Sequence, residues 1–306
     1  MHALLIHNPV SGHPARHAAL NQMLATFAAG GWQIALRQTE HRGHARDLAA
    51  LAVRQGYEHI LIAGGDGSIA QTVDGIIQAG GEGVALGILP IGTGNVFARA
   101  AGLPLPDGRH TTAPAAIARL IMQDRPRVLD VGLANGVAFL SWAGLGFDAA
   151  VAGAIEQNLT FKRRAPTRAY LGEGIKQLLR LRPLRLHVSL DGGREHFEGC
   201  FPLAVANNIP LYARWFRLAP AARPDDGQLD FAAIICAEPP RFLYTALKLL
   251  IYPRTRDRCL LRRPCRSLHI SAETPQPCHV DGDPLGFSPL DVTLLPQRLP
   301  VYLPHD

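Results

Sequence analysis

The sequence predicts an α/β N-terminal domain built on a parallel sheet, followed by a β-rich domain. Three observations carry this. Over the first hundred residues, short apolar runs alternate with segments of helical period. A polar or glycine-rich turn follows each apolar run. Beyond Arg125-Pro126 the pattern changes to strand-like alternation. A β-α-β-α order predicts a parallel sheet with helices on both faces, and 306 residues leave room for about two domains.

Ala3 to His7 is an apolar run stopped by Asn8-Pro9, which reads as a buried strand. Pro14 to Phe27 has helical spacing, with Leu20, Leu24 and Phe27 on one face. Trp32, Ile34 and Leu36 alternate as a second strand, and Ala45 to Val53 is helical. Ile60 to Ala63 is a third strand bounded by Gly64-Gly65, and Ile69 to Ile77 a third helix. Val84 to Leu89 is a fourth strand stopped by Pro90, with a helix starting at Asn95. In the second half, Val128 to Ala134 and Val137 to Trp142 flank Asn135-Gly136, a strong hairpin signal. Further strands are expected at Leu184–Leu190, Leu203–Ala206, Leu229–Ile235, Ser267–Ser271 and Val292–Leu295. Helices are expected near Arg168–Leu181 and Arg241–Ile251. The domains divide as 1–126 and 127–306.

Composition removes several classes. Apolar residues make up 47% and charged residues 18%, too apolar for a disordered chain. Gly and Pro are scattered without period, which excludes a collagen-like chain. No run reaches the ~20 apolar residues of a membrane span; Leu243 to Tyr252 is short and carries Lys248. The N-terminus lacks the basic and apolar regions of a signal peptide. Lys plus Arg is 31 against 25 Asp plus Glu, a net charge of +6 compatible with nucleotides, phospholipid surfaces or nucleic acid. The five cysteines, Cys200, Cys236, Cys259, Cys265 and Cys278, form no C-x-x-C. Buried thiols in a reducing cytoplasm are therefore expected rather than a disulfide framework. The spacing of Cys259, Cys265, Cys278 and His279 matches no standard zinc knuckle.

Four turns fall at equivalent places in the first domain: Asn8-Pro9-Val10-Ser11-Gly12, Thr39, Gly64-Gly65-Asp66-Gly67-Ser68 and Gly92-Thr93-Gly94-Asn95. In a parallel sheet all four lie along the carboxyl edge, where doubly wound folds bind ligands. Glycines let the backbone approach a phosphate, and helix N-termini attract anions. Ser11, Ser68, Thr93 and Asn95 add neutral donors. Taken alone, the first turn is also an ordinary turn, and Gly-Thr-Gly-Asn also reads as a helix N-cap. Three glycines around Asp66 directly after a buried strand are harder to explain without a ligand. No Walker-type G-x-x-x-x-G-K-[ST] occurs, nor a G-x-G-x-x-G after the first strand.

Together these motifs resemble the diacylglycerol kinase catalytic-domain family, which includes bacterial lipid kinases and sphingosine kinases. The resemblance runs on through Thr39 with His44-Ala45, Phe139 to Asp148, Val205-Ala206-Asn207, Leu218-Ala219-Pro220, Asp225-Asp226-Gly227-Gln228-Leu229-Asp230 and Asp281-Gly282. It implies a Rossmann-like first domain of the phosphofructokinase and NAD-kinase type, a sandwich-like lipid-substrate domain, and a C-terminus that returns to the first domain. It implies ATP in a cleft between the domains, held by Asn8, Ser11, Gly12, Thr39, Gly64, Gly65, Asp66, Gly67, Ser68, Ile69, Ala70, Thr93 and Asn95. A magnesium ion would be held by Asp226 and the carbonyls of Arg223 and Gln228; a plain turn is the simpler reading of that stretch. The family's Asp-Gly-Glu motif carries the general base at its third position, here Asp283, with Asp66 the second candidate. Arg16 is a candidate for neutralising developing charge, or a solvated helix residue.

Three positions depart from the family pattern. Asp283 replaces Glu, one methylene shorter. Val96 stands where many relatives have Asp, and Ala213-Arg214-Trp215 replaces a glycine run after Tyr212. The last two bear on lipid specificity. The expected reaction is transfer of the ATP γ-phosphate to the hydroxyl of a diacylglycerol-like or sphingoid-like lipid. The lipid has to be reached at the inner face of a membrane. Lys162, Arg163, Arg164, Arg168, Lys176, Arg180, Arg182 and Arg185 enclose Leu171, Ile175, Leu178 and Leu179 at helical spacing, a pattern that suits a basic interfacial helix or a solvated face. Some relatives dimerise, so a homodimer is one assembly the resemblance implies. An NAD kinase shares Gly-Gly-Asp-Gly, but the Asn-Glu pair expected after its second loop is missing. A nucleotide- or lipid-binding protein with impaired catalysis is a further alternative, raised by Asp283. A nucleic-acid partner is not expected, since no reader motif occurs and the arginines are not interleaved with aromatics.

Overall fold

The computed structural model describes residues 1–12, 15–106, 113–123, 125–146, 184–212, 216–236 and 238–304. The expected helix at 168–181, the basic stretch up to Arg182, Phe147-Asp148, Ala213-Arg214-Trp215 and the Arg16 side chain lie outside the described residues. The chain divides into two compact units. Unit 1 comprises Met1–Val131, Pro224–Asp226 and Leu295–Asp306; unit 2 comprises Gly132–Arg223 and Gly227–Leu294.

Unit 1 alternates as the apolar runs dictate: β1 (His2–His7), α1 (Ala15–Ala29), β2 (Gln33–Gln38), α2 (His44–Arg54), β3 (His59–Gly64), α3 (Asp66–Gln78), β4 (Ala85–Pro90), α4 (Val96–Ala100) and α5 (Ala113–Met122). The strands run in the order β2-β1-β3-β4, all parallel. The continuous apolar runs of β1, β3 and β4 follow from burial on both faces, whereas β2 lies at the edge and is largely exposed. Leu20, Met23 and Phe27 of α1 pack with Ile117 and Ile121 of α5 against Leu5 and Leu61 of the sheet. Helix α5 adds to the expected elements, and Ile117, Ala118 and Ile121 carry its helical spacing. The order reverses between β1 and β3. That is the switch point, where the crevice at the carboxyl ends of the strands opens in folds of this kind.

Unit 2 is antiparallel. One sheet runs β12 (Leu260–Cys265), β11 (Leu229–Ile234), β10 (Leu203–Asn207), β7 (Trp142–Gly146), β14 (Pro277–Val280) and β15 (Asp283–Phe287). Facing it, the first half of β16 (Leu290–Val301) pairs with β13 (Ser267–Ala272), which pairs with β8 (Arg185–Leu190), and β8 with β9 (Glu195–Cys200). Leu145, Ala204 and Phe231 of the first sheet share a core with Val188, Ile270 and Val292 of the second. This is a sandwich in which alternate side chains point inward. The expected hairpin forms between β5 (Arg127–Ala134) and β6 (Val137–Phe139), with φ of 46° at Asn135 and 83° at Gly136. Strands β9, β12, β14 and β15 are additional to those the pattern predicts, being short, polar or interrupted by proline and glycine. Between β11 and β12 the chain makes an excursion through α6 (Pro239–Ile251).

Strand β16 begins in unit 2 and ends in unit 1, where Val301 pairs in parallel with Leu86 of β4. Tyr302, 1% exposed, meets His59 Nδ1 at 2.9 Å through its hydroxyl. One expectation is corrected. Cys236 and Cys259, expected as thiols, form a disulfide. Their separation of 23 residues gives no sequence signal, but pairing of β11 with β12 returns the chain so that the Ile235 N–H donates to the Cys259 carbonyl at 2.9 Å.

Candidate active site

The turns of unit 1 are joined to one another by specific bonds. Asn8 closes its own turn by accepting the Val10 N–H at 3.1 Å, and its Nδ2 donates to Ser68 Oγ at 2.9 Å. That bond spans the switch point, tying the loop after β1 to the first turn of α3. Gly12 has φ 81°. Thr39 is placed beside β1 by its N–H, which donates to the His7 carbonyl at 2.9 Å.

The loops after β3 and β4 touch backbone to backbone. The Gly92 N–H donates to the Gly64 carbonyl at 3.1 Å. A Cβ on Gly92 would stand 2.3 Å from the Gly65 Cα, and one on Gly65 would stand 3.2 Å from the Gly92 Cα and 3.4 Å from Ser11 Oγ. The glycines are therefore required by close approach, and a side chain at either position would push the loops apart. Asp66 locks the contact. Its Oδ1 accepts the Val96 N–H at 2.6 Å and the Phe97 N–H at 3.1 Å. A Cβ on Gly94 would lie 2.7 Å from its Oδ2. Burial pushes the Asp66 carboxyl above its ordinary 3.8, against the pull of those N–H groups.

The other predicted residues divide by burial. Ser11 and Thr39 are half-exposed, and Gly12 and Thr93 are exposed along the carboxyl edge. Ser68, Ile69 and Ala70 are buried in α3. Asn95 is 3% exposed, adopts φ 51° and ψ 47°, and donates from Nδ2 to the Pro90 carbonyl, so it shapes its loop from inside. Arg99, unnoticed in the sequence, donates from Nε to the Gly94 carbonyl at 3.2 Å.

The stretch 223–228 is a turn with Gly227 at φ 74°. In unit 1, Asp225 is bonded to Arg127 at 2.5 Å and the Pro224 carbonyl accepts the Asp130 N–H at 2.7 Å. Asp130, fully buried, also accepts the Gln297 N–H at 2.7 Å. Asp226 is left exposed at the tip. A carboxylate and main-chain carbonyls make an all-oxygen donor set, which fits a hard divalent cation such as magnesium.

In unit 2, Asp283 is half-buried and opens β15 directly after a two-residue turn, Asp281-Gly282, with φ of 48° and 87°. Both positive values mark a type I′ hairpin turn. Asp281 is 9% exposed and accepts three backbone N–H groups, from Leu140 at 3.1 Å and from Ser141 and Trp142 at 2.9 Å. Asn208 Nδ2 donates to the Leu140 carbonyl at 3.0 Å, holding the same segment from the other side. In the sequence Asp281 stands out only as part of the Asp281-Gly282-Asp283 triplet. Asp-Gly after the apolar Val280 is itself a hairpin signal that would have placed it.

The family model described as "Diacylglycerol kinase catalytic domain" matches residues 2–134. The one described as "YegS C-terminal NAD kinase beta sandwich-like domain" matches residues 141–303. The chain is 30% identical over 295 residues to a protein of Pseudomonas savastanoi pv. phaseolicola named "Probable lipid kinase YegS-like", covering 96% of this chain and 92% of the relative. It is 27% identical over 304 residues to the protein of Bacillus subtilis (strain 168) named "Diacylglycerol kinase", covering 99% and 97%. A solved structure described as one of the diacylglycerol kinases from Bacillus anthracis str. Sterne has the same fold, with a TM-score of 0.75 at 22% identity over 99% of this chain and 96% of that one.

Proposed function

The chain belongs to the diacylglycerol kinase catalytic-domain family, and from that premise we propose that it is an ATP-dependent kinase that phosphorylates the hydroxyl of a diacylglycerol-like or sphingoid-like lipid. The observation that carries this reading is the glycine contact between Gly65 and Gly92, locked by Asp66 and joined to the first loop through Asn8 and Ser68. Loops this close leave main-chain groups, rather than side chains, to line the place where a phosphate chain would lie. Residues 1–126, together with the C-terminus that returns to them, are assigned to the nucleotide, and the rest of 127–306 to the lipid. Asn8, Ser11, Gly12, Thr39, Gly64 to Ala70, Thr93 and Asn95 form or shape the nucleotide site.

Phosphoryl transfer asks the protein mainly to position its reactants and to neutralise charge. Asp226, with the carbonyls of Arg223 and Gln228, is assigned to magnesium, which when bound supplies positive charge against the phosphate oxygens. Asp283 is assigned as the general base that takes the proton of the attacking hydroxyl. Its backbone is held by the tight turn that Asp281 braces, so the shorter side chain starts from a fixed position. Asp66, engaged at Oδ1 with two N–H groups, is assigned to positioning the phosphate loops.

The test is transfer of labelled γ-phosphate from ATP, with magnesium, to a panel of lipids beside NAD. A labelled lipid and unlabelled NAD are expected. NAD kinase-like chemistry is the second reading, favoured by the description of the C-terminal family, and labelled NAD alone would establish it. Nucleotide binding without any labelled product would establish a protein impaired in catalysis.

A further inference from the structure

Helix α6 is packed on one side only. Phe242, Thr245 and Leu249 face the protein and are 5%, 0% and 1% exposed. Leu243, Tyr244, Leu247, Leu250 and Ile251 are 45–66% exposed, and Tyr252, just past the helix, is 65% exposed. At about 100° per residue, the five exposed helix residues fall within about 120° of the circumference. They form one apolar stripe, not scattered surface residues.

The stripe is bordered by positive charge. Arg241 and Lys248 flank it, stand over the Tyr244 ring at 5.2 and 5.9 Å, and share Asp257 at 3.2 and 3.0 Å. Arg254, Arg256 and Arg258 follow in the next segment, all exposed and without an ion pair among the described residues. Between Cys236 and Cys259 the chain carries five basic side chains and two acidic ones. The excursion is presented as a closed unit, shut at its base by the disulfide and by the bond from Ile235 to Cys259. Arg262 holds the backbone of the basic segment through the Thr255 and Pro253 carbonyls.

We infer that this excursion, α6 with the basic segment after it, is the surface by which the protein docks on an anionic lipid bilayer. The apolar stripe would enter the acyl boundary, with the tyrosines at headgroup level and the arginines on the lipid phosphates. The helix is too short to span a bilayer and is suited to lying in its surface. A second copy of the chain is a poor occupant, because a two-fold contact would bring the same unpaired arginines together. The inference rests on the lipid-kinase reading for its purpose, delivery of the protein to an acceptor held in a membrane, but not for its geometry.

The test is co-sedimentation with vesicles of phosphatidylcholine alone and of phosphatidylcholine mixed with phosphatidylglycerol. One variant combines Leu247→Ser with Ile251→Ser; the other combines Arg254→Glu, Arg256→Glu and Arg258→Glu. All these positions are exposed, and thermal melting checks the fold. Each variant is expected to lose at least about tenfold in affinity for the anionic vesicles. Each is expected to keep its sedimentation coefficient and its phosphorylation of a short-chain, water-dispersed diacylglycerol. Unchanged vesicle binding in both variants would overturn the inference, as would conversion of a dimer to a monomer by the serine variant. Docking lost in the variants of a protein that phosphorylates no lipid would support the docking surface and refute the kinase. Soluble-lipid phosphorylation with unaltered docking would do the reverse.

Discussion

Asp66 sits where a sequence reader would look for a catalytic carboxylate, yet its Oδ1 is occupied by the N–H groups of Val96 and Phe97. An amide can accept the same bonds without a buried charge. Asp66→Asn is therefore expected to fold at full stability, while Asp66→Ala, which leaves both donors without their partner, should lose about 1–2 kcal/mol. The pH dependence has a definite sign. Because burial raises the folded-state pKa above 3.8, the folded protein binds more protons than the unfolded chain just above that value. This group's contribution to stability therefore falls as pH rises through the window. Urea unfolding at several pH values should show Asp66→Asn becoming the more stable of the two as pH rises from about 4; an unmodified protein that instead gains over the variant would contradict the assignment. Gly92→Ala places a methyl group 2.3 Å from the Gly65 Cα. It should cost about 1–3 kcal/mol through forced separation of the loops and weaken ATP binding by at least about tenfold, as titration calorimetry would show.

At the scale of elements, legibility followed burial. Strands β1, β3 and β4 were plain in the sequence because both their faces are covered, so they read as unbroken apolar runs. The Asn135-Gly136 hairpin was plain because its turn demands residues that tolerate positive φ. Strands β14 and β15 were not, since Pro277, Gly286 and a register shift between Cys278 and His279 break the alternation. The glycine loops of the candidate site were legible as motifs. Their mutual contact was not, because close approach between loops separated by a helix and a strand leaves no mark in local pattern. The disulfide was illegible for the same reason. It makes a prediction about reactivity. Burial, reinforced by the Asp191 charge, pushes the Cys265 thiol up to about 12, Cys278 is buried, and Cys200 is the half-exposed thiol. Alkylation of the native protein without reductant should label Cys200 alone, with Cys236 and Cys259 appearing only after reduction. Native labelling at Cys236 or Cys259 would contradict the bond.

The whole molecule is not two domains in series, because unit 1 takes its last strand from the far end of the chain. Leu299, Val301, Tyr302 and Leu303 are all buried there, and burying side chains of this kind contributes about 1.5–3 kcal/mol each. Deletion of Leu295–Asp306 should therefore unfold unit 1 and abolish nucleotide binding, while a chain cut elsewhere on an exposed loop keeps both; circular dichroism with ATP titration would decide. Whether the glycine loops hold ATP while Asp283 activates a lipid hydroxyl is decided by one assay. Labelled phosphate transfer from ATP to lipid is measured for the unmodified protein and for Asp283→Asn, with ATP affinity determined on both. A labelled lipid is expected from the unmodified protein and at least about a hundredfold slower transfer from the variant, at unchanged ATP affinity. Transfer by Asp283→Asn at the original rate, or no lipid product from either protein, would contradict it.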